Sequence, residues 1–280
     1  MLITGSTGGL GREVARSLAA DGVHVIIHGR NEERARELLE EIRATHAGSG
    51  RYYLADFASL EQVRVLGEAV LRDYDRLDGL VNNAGIARLG TQDRVLSENG
   101  HELHFQVNYL AGYLLTDLLL PLLREGAPSR IVNVASRTQA PIDLDDLMLE
   151  AAYSVRQAYG GSKLAQIMHA FELAEVLRGT GVTANALHPS GVMDTDMILE
   201  AGLQPQSSVL TGRNAVLRLL DDPDIGSGGY FHVFEPARAH EQAYDPEVRS
   251  RLMAVSATLT GAAPVPSPAS PSRTRPTPSR

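Results

Sequence analysis

Apolar and polar positions along the chain switch repeatedly between two rhythms. Short, largely apolar runs stand at Met1–Thr4, Val23–Ile27, Arg51–Ala55, Leu77–Val81, Arg130–Ala135, Val182–Leu187 and Tyr230–Val233. Runs of this length that do not alternate with polar residues suit strands buried on both faces of a parallel sheet. Between them lie stretches with the helical period, at Arg12–Ala20, Glu32–Thr45, Leu60–Tyr74, Glu98–Leu123, Tyr159–Arg178 and Arg213–Leu220. Ser97 stands where an N-cap for the fourth of these belongs. The persistent alternation predicts one α/β domain over residues 1–261, a doubly wound parallel sheet of about seven strands with helices on both faces. From Ala262 onward six of 19 residues are Pro and none is aromatic, so residues 262–280 read as a disordered Pro/Ser/Arg-rich tail. Met1–Thr4 is short for a first strand, which leaves a start a few residues upstream open.

That first strand runs into Thr4-Gly5-Ser6-Thr7-Gly8-Gly9-Leu10-Gly11 and then a helix. Strand, glycine turn and helix form the entry of a dinucleotide-binding unit, so the domain is expected to be a Rossmann fold. Glycines let the backbone approach a pyrophosphate closely, and the free N–H groups at the helix start face its charge. The second strand ends at His28-Gly29-Arg30-Asn31. An NAD-binding unit usually offers an acid there to the ribose 2'-hydroxyl, whereas Arg30, nineteen residues after Gly11, suits a 2'-phosphate. NADP(H) is therefore the preferred cofactor and NAD(H) the alternative, unless Arg30 is simply a solvated residue at a helix start. Asp56 follows the third strand, and it either contacts the adenine edge or joins Ser59 in capping a helix. The fourth strand runs into Asn82-Asn83-Ala84-Gly85, small and amide residues that suit packing against a nucleotide or a plain turn.

Composition narrows the functional classes. With 43% hydrophobic and 21% charged residues the chain is globular. Its formal charge of -8, with three arginines in the tail, leaves about -11 on residues 1–261, which repels nucleic acid. Cysteine is absent, which excludes disulfides, thiolate catalysis and cysteine-ligated zinc and makes a cytoplasmic setting the expectation. The most apolar run, Leu110–Leu123, is interrupted by Thr116, Asp117 and Pro121 and is shorter than the ~20 residues of a membrane span. It reads as a buried helix. His101 and His104 have no third ligand at metal spacing and read as surface or groove residues, and Asp143, Asp145 and Asp146 as a solvated acidic loop.

One residue stands apart. Lys163 is the only lysine among 280 residues, where all other basic side chains that carry a permanent charge are arginine. A compact ammonium is evidently required at this position. Tyr159 precedes it by four residues, on the same face of a helix, so the ammonium can lie beside the phenol and lower its pKa from about 10. Tyr153 has Gln157 at the same spacing and lacks the pairing. Asn108 interrupts an apolar stretch and must find partners if buried, and Ser136 stands at the tip of the fifth strand, able to donate to a substrate oxygen.

Thr4-Gly5 with Gly9 and Gly11, Asn82-Asn83-Ala84-Gly85, Asn108, Ser136, and Tyr159 with Lys163 together resemble the short-chain dehydrogenase/reductase family over roughly residues 1–235. The long separation of Ser136 from Tyr159 is similar to the retinol dehydrogenase-like and WW-domain-oxidoreductase-like branch. The resemblance implies hydride transfer between NADP(H) and a fairly apolar carbonyl or alcohol. Tyr159 is then the general acid/base, Lys163 lowers its pKa and holds the nicotinamide ribose, Ser136 polarises the substrate oxygen, and Asn108 positions a water. Gly5, Gly9 and Gly11, with Ser6, Thr7 and Leu10, seat the pyrophosphate. Arg30 takes the 2'-phosphate, Asp56 and Asn82 with Ala84 and Gly85 surround the nucleotide, and Pro189 and Thr195 reach the nicotinamide. The family usually has Pro-Gly after the sixth strand; here Pro189-Ser190-Gly191 puts Thr195 one step late, which bears on those last two contacts. Asp196–Gln206 reads as a mobile lid. A nucleotide-sugar epimerase or dehydratase and a non-catalytic NAD(P)-binding regulator are the competing readings, and self-association into a homo-oligomer stays open.

Overall fold

The computed structural model describes residues 1–45, 47–88, 92–200 and 202–262. The tail expected to be disordered lies almost wholly outside these. Strands β1 (Leu2–Ile3), β2 (His24–Gly29), β3 (Ser49–Leu54), β4 (Gly79–Asn82), β5 (Ser129–Val134), β6 (Val182–His188), β7 (Tyr230–His232) and β8 (Glu235–Pro236) form one eight-stranded sheet. Its order is β3-β2-β1-β4-β5-β6-β7-β8, parallel except for the antiparallel edge pair β7/β8. The chain winds outward in two directions from β1 and β4, so a crevice opens between them at the carboxyl ends of the strands. Ligands of doubly wound sheets bind there.

Helices α1 (Gly9–Ala20), α2 (Glu32–Ala44) and α7 (Val209–Asp221) cover one face; α3 (Leu60–Asp73), α4 (Ala111–Glu125), α5 (Val155–Val176) and α8 (Pro246–Thr260) cover the other. Successive strand residues serve opposite cores: Leu2, Leu80 and Ile131 pack under α3, α4 and α5, while Ile3, Val81 and Val132 pack under α1, α2 and α7. Both faces are buried, which is why the strands read as continuous apolar runs rather than alternating ones. Among the described residues no helix is long and apolar enough to cross a membrane.

Three elements differ from their expected limits. The helix expected from Glu98 starts later, because Ser97 accepts from the His101 N–H (3.2 Å) in a turn and Leu96 bridges Glu102. It opens with a π-helical turn, Phe105–Leu110, that carries Asn108. Helix α5 starts four residues before Tyr159, capped by Ser154, whose hydroxyl accepts from the Gln157 N–H (3.2 Å). Helix α8 continues the fold past the last expected strand. Asp245 caps it, Pro246 occupies its first turn, and Gly261 ends it at φ 62°. It locks onto α5 through Arg249, which bonds Glu172 (3.3 Å) and Glu175 (2.6 Å), and onto the π-helical turn through a Tyr109–Ser256 hydroxyl pair at 2.7 Å.

Candidate functional site

The glycine turn joins β1 to α1 at the crevice. Gly5 and Gly9 have φ of 63° and 49°, conformations that a side chain resists. A Cβ on Gly5 would stand 2.9 Å from the Ala84 Cα, and one on Gly11 would stand 2.5 Å from the Gly5 carbonyl oxygen, so turn, helix and β4 tip close on one another only with glycine there. Gly8 is the N-cap of α1 with no side-chain hydrogen bond and no acid in the first turn, which leaves the N–H groups facing the crevice for an anion. This cradle fits a dinucleotide pyrophosphate.

The other residues of the turn build the cradle's back wall. Buried Ser6 accepts from the His28 N–H (3.0 Å), Thr7 fills the space over Gly29, and Leu10 belongs to the core under α1. His28, which the sequence reading passed over, fastens the turn: its Nδ1 accepts from the Gly5 N–H (3.1 Å) while Nε2 donates to the Ala55 carbonyl (3.1 Å). Burial depresses its pKa to about 4, so it stays the neutral acceptor this bond requires. Asn83 ties the β4 tip to the same turn through Thr4 and Gly5 carbonyls at 2.8 and 3.2 Å.

Around the nucleotide end, Arg30 is exposed and pairs with Asp56 (3.3 Å). Asp56 also accepts from the Ala58 N–H (2.9 Å), a turn contact; Ser59 is the N-cap residue of α3 but makes no side-chain cap bond, and Asn99 bonds the Leu60 N–H instead. Asn82 turns away from the crevice. Its amide donates inward to Thr116 and Asn133, both at 2.9 Å, because an amide on a strand buried on both faces must find its partners inside.

Those inward bonds lead to the lysine. Asn133 donates to the Gln166 carbonyl (2.9 Å), and the Gln166 side chain accepts from Lys163 Nζ (2.8 Å), which also donates to the Val134 carbonyl (3.0 Å). Asn133 and Gln166 were legible only as polar residues within apolar runs. Lys163 is buried beneath Tyr159, its Nζ 5.7 Å from the ring centroid. Ser136, at the end of β5, accepts from the Thr138 N–H (3.1 Å), and its own hydroxyl proton is directed at the Tyr159 phenol. Its carbonyl is held by Tyr230 (3.0 Å) and Gln139 (3.1 Å), two further residues outside the sequence reading.

The electrostatics correct one expectation. Lys163 does not lower the phenol of Tyr159 in the protein alone; burial raises it, opposed in part by a hydrogen bond from Ser136. Burial likewise depresses Lys163 to about 7. Dehydration penalises the charged form of both partners, so the pair rests as a neutral phenol above a lysine that readily gives up its proton.

Asn108 is buried in the π-helical turn. Its amide donates to the Ile86 carbonyl (3.1 Å) and Ser162 hydroxyl (2.9 Å), and its Oδ1 accepts from the Ile86 N–H (2.7 Å). One lone pair of Oδ1 remains for a water. Gly85 keeps the adjoining space open: a Cβ there would lie 3.1 Å from Asn108 Oδ1 and 3.5 Å from Lys163 Nζ.

The extra residue after Pro189 is absorbed locally. Ser190 donates to Ser207 (3.0 Å), Ser207 donates to the Gly191 carbonyl (2.6 Å), and Val192 takes a φ of 46°. Pro189 packs toward Gly212 on α7, while Thr195 still reaches the turn, its side chain 3.2–3.3 Å from a Cβ on Gly9. The segment expected as a lid contains α6 (Asp196–Glu200), with Leu199 and Leu203 exposed, and Leu210 in the first turn of α7 is exposed as well.

One other expectation changes. His104 is neither a surface nor a groove residue: it is buried, bonded to Glu102 (2.8 Å) and the Ala87 carbonyl (3.1 Å), with the second Glu102 oxygen accepting from the Phe105 N–H at the start of the π-helical turn. The acidic loop is solvated as expected, with Asp143 and Asp145 exposed, and Asp146 accepts from the Glu150 and Ala151 N–H groups. A cavity of about 760 Å³ lies between the end of α5, the start of β6 and α8, lined by Phe171, Tyr244 and Arg249. It opens at the amino ends of the strands, remote from the crevice.

A family model described as short chain dehydrogenase matches residues 1–205. Human retinol dehydrogenase 13 is 34% identical, with 93% of this chain and 84% of that protein covered. Mouse polyprenol dehydrogenase is 36% identical, with 93% and 83% covered. A solved structure of an uncharacterized protein from Mycobacterium paratuberculosis superimposes with a TM-score of 0.76 at 28% identity, covering 93% of this chain and 92% of that one. A short chain dehydrogenase from Shigella flexneri complexed with NADP gives a TM-score of 0.68 at 26% identity, covering 84% and 96%.

Proposed function

Since the chain belongs to the short-chain dehydrogenase family, retinol dehydrogenase-like in its curated relatives, and is thereby an NAD(P)-dependent dehydrogenase/reductase, we propose that it interconverts an apolar alcohol and its carbonyl compound with NADP(H), using Tyr159 as the general acid/base. The observation that carries this reading is the buried Lys163 lying under Tyr159 beside the glycine cradle and Ser136.

The bound dinucleotide supplies the hydride acceptor or donor at its nicotinamide. In the reducing direction the neutral phenol of Tyr159 gives its proton to the carbonyl oxygen; in the oxidising direction that phenol first loses its proton toward the Lys163 side, and the phenolate then takes the alcohol proton as the carbonyl forms. Ser136 turns its hydroxyl proton from the phenol to the same oxygen and fixes that oxygen against Tyr159. Lys163 holds an ammonium beneath the developing phenolate and exchanges its proton through the opening beside Gly85, where Asn108 Oδ1 offers an acceptor. Arg30 meets the 2'-phosphate. The apolar preference is supported by the exposed leucines beside α6 and by relatives named for retinol and polyprenol.

A panel of apolar alcohols and aldehydes, followed at the nicotinamide absorbance with each cofactor, tests this. Turnover with NADP(H) well ahead of NAD(H) is expected; equal use of both removes the Arg30 assignment, and no turnover with any member removes the substrate class.

A further inference from the structure

Two histidines end neighbouring strands beside the reacting centre. His188 closes β6 and His232 closes β7, in register, with ring centroids 5.0 Å apart. Ala186 and Tyr230, two residues earlier on each strand, pack in the core under α5, so both rings lie on the side of the sheet that α5 covers with Tyr159 and Lys163. The Ala135 N–H donates to the Leu187 carbonyl (2.8 Å), which sets His188 beside the β5 tip where Ser136 stands. His188 is only 5% exposed, yet its Nε2 is buried without a hydrogen-bond partner among the described residues. A polar atom so placed costs stability unless a ligand takes it up. Burial depresses the pKa of His188 to about 4, helped by His232, Arg137 and Lys163, all of them basic. At neutral pH the ring therefore carries one proton, able to donate from Nε2. Arg137 supplies a permanent cation next to Ser136: it is exposed, and its Nη2 lies 3.6 Å from the position of a Cβ on Gly191, three residues after His188. Among the described residues it joins no ion pair.

We propose that His188 and Arg137 together hold a carboxylate of the substrate, so that the enzyme acts on oxo acids and hydroxy acids with an apolar chain. This rests on the alcohol–carbonyl reading of the same site and narrows its substrate class. A carboxylate accepts the single N–H of His188 on one lone pair and the planar fork of Arg137 on the others. Because Arg137 follows Ser136, one strand tip then grips the substrate twice, by the hydroxyl at the reacting oxygen and by the guanidinium at the acid. A plain aldehyde leaves the buried nitrogen unpaired, and sites of that kind discriminate against molecules that lack the matching group.

Steady-state reduction with NADPH and with NADH tests this on the full chain of wild type, His188→Leu, His188→Gln and Arg137→Ala. The aldehydes come in pairs: butanal and 4-oxobutanoate, hexanal and 6-oxohexanoate, nonanal and 9-oxononanoate. The ratio of kcat/KM for the oxo acid over its plain partner is internal to each preparation. Wild type is expected to favour the oxo acid about a hundredfold in at least one pair, the equivalent of two charge-assisted contacts. In that pair His188→Leu and Arg137→Ala are each expected to lower the ratio about tenfold, mainly through KM. His188→Gln, whose amide N–H reaches the place of Nε2, is expected to keep the ratio within about threefold of wild type. A wild-type ratio near one in every pair, with the plain aldehydes turned over, overturns this proposal alone. So does an unchanged ratio in His188→Leu or Arg137→Ala, or a ratio lost in His188→Gln; should His188→Leu not fold, Arg137→Ala decides. If neither member of any pair is turned over, the alcohol–carbonyl reading fails and this proposal with it.

Discussion

The two ends of the crevice solve opposite problems. At the proton-handling end Ser136, Asn108 and Lys163 are buried and interlocked by hydrogen bonds of 2.7–3.1 Å to named backbone and side-chain groups. At the nucleotide end Arg30, Arg34 and Asp196 are exposed and Asp56 is half-buried, and the charged side chains meet one another as two separate ion pairs. Burial gives the first end its shifted pKa values and makes each member depend on its neighbours. Exposure makes the second end weak as a scaffold and selective for what binds it. The difference teaches where catalysis and cofactor choice are separately adjustable: substitutions in the interlocked end should disable the enzyme, and substitutions in the paired end should redirect it.

The largest break is expected from Lys163→Arg. A planar guanidinium cannot reach both Val134 and Gln166 from the same position, and kcat/KM is expected to fall by about a thousandfold or more in steady-state assays. Loss of less than tenfold would mean that the interlock is not needed.

Next comes pH. Lys163 has a folded pKa lowered to about 7 from 10.5. The unfolded chain therefore binds more protons between those values, and the lysine's penalty on stability is full below pH 7 and fades as pH rises toward 10.5. Urea denaturation of wild type and Lys163→Met should show wild type gaining relative stability from pH 7 to pH 10, by roughly 3 kcal/mol. Parallel pH profiles would contradict the burial of an ionisable amine.

A smaller effect is expected from Gly85→Ala. The added methyl enters the space beside Asn108 Oδ1 and Lys163 Nζ, and kcat should fall about tenfold with the KM for NADPH little changed, a split that initial-rate kinetics reads directly. Smallest is the Arg30–Asp56 pair, whose double-mutant cycle in thermal unfolding should give a coupling of less than about 1 kcal/mol, sharpening the contrast with the buried end.

The chain's alternating pattern announced the sheet, its parallel strands and the crevice, because both faces are buried and a helix follows each of the first six strands. Thr4 to Gly11, Ser136, Tyr159 and Lys163 were legible as chemistry because their spacings are set by local turns and one helix. The interior relay of Asn82, Asn133 and Gln166 was not, since it crosses three elements distant in sequence. The π-helical turn around Asn108 depends on Glu102 capping Phe105 and orienting His104, contacts that periodicity does not encode. Helix α8 did carry a signal, Asp245 before it, Pro246 in its first turn and Gly261 after it, but its weakly amphipathic face hides a buried Arg249 that only the acids of α5 make intelligible. The resting phenol of Tyr159 was misjudged because helical spacing reports proximity to Lys163 and says nothing of the burial that both groups share.

The central claim, that Tyr159 carries the substrate proton, is tested most directly by measuring kcat and the NADPH dissociation constant of Tyr159→Phe on one preparation. A fall in kcat of at least about a thousandfold, with NADPH binding within about twofold of wild type, is the predicted result; turnover within tenfold of wild type would contradict it.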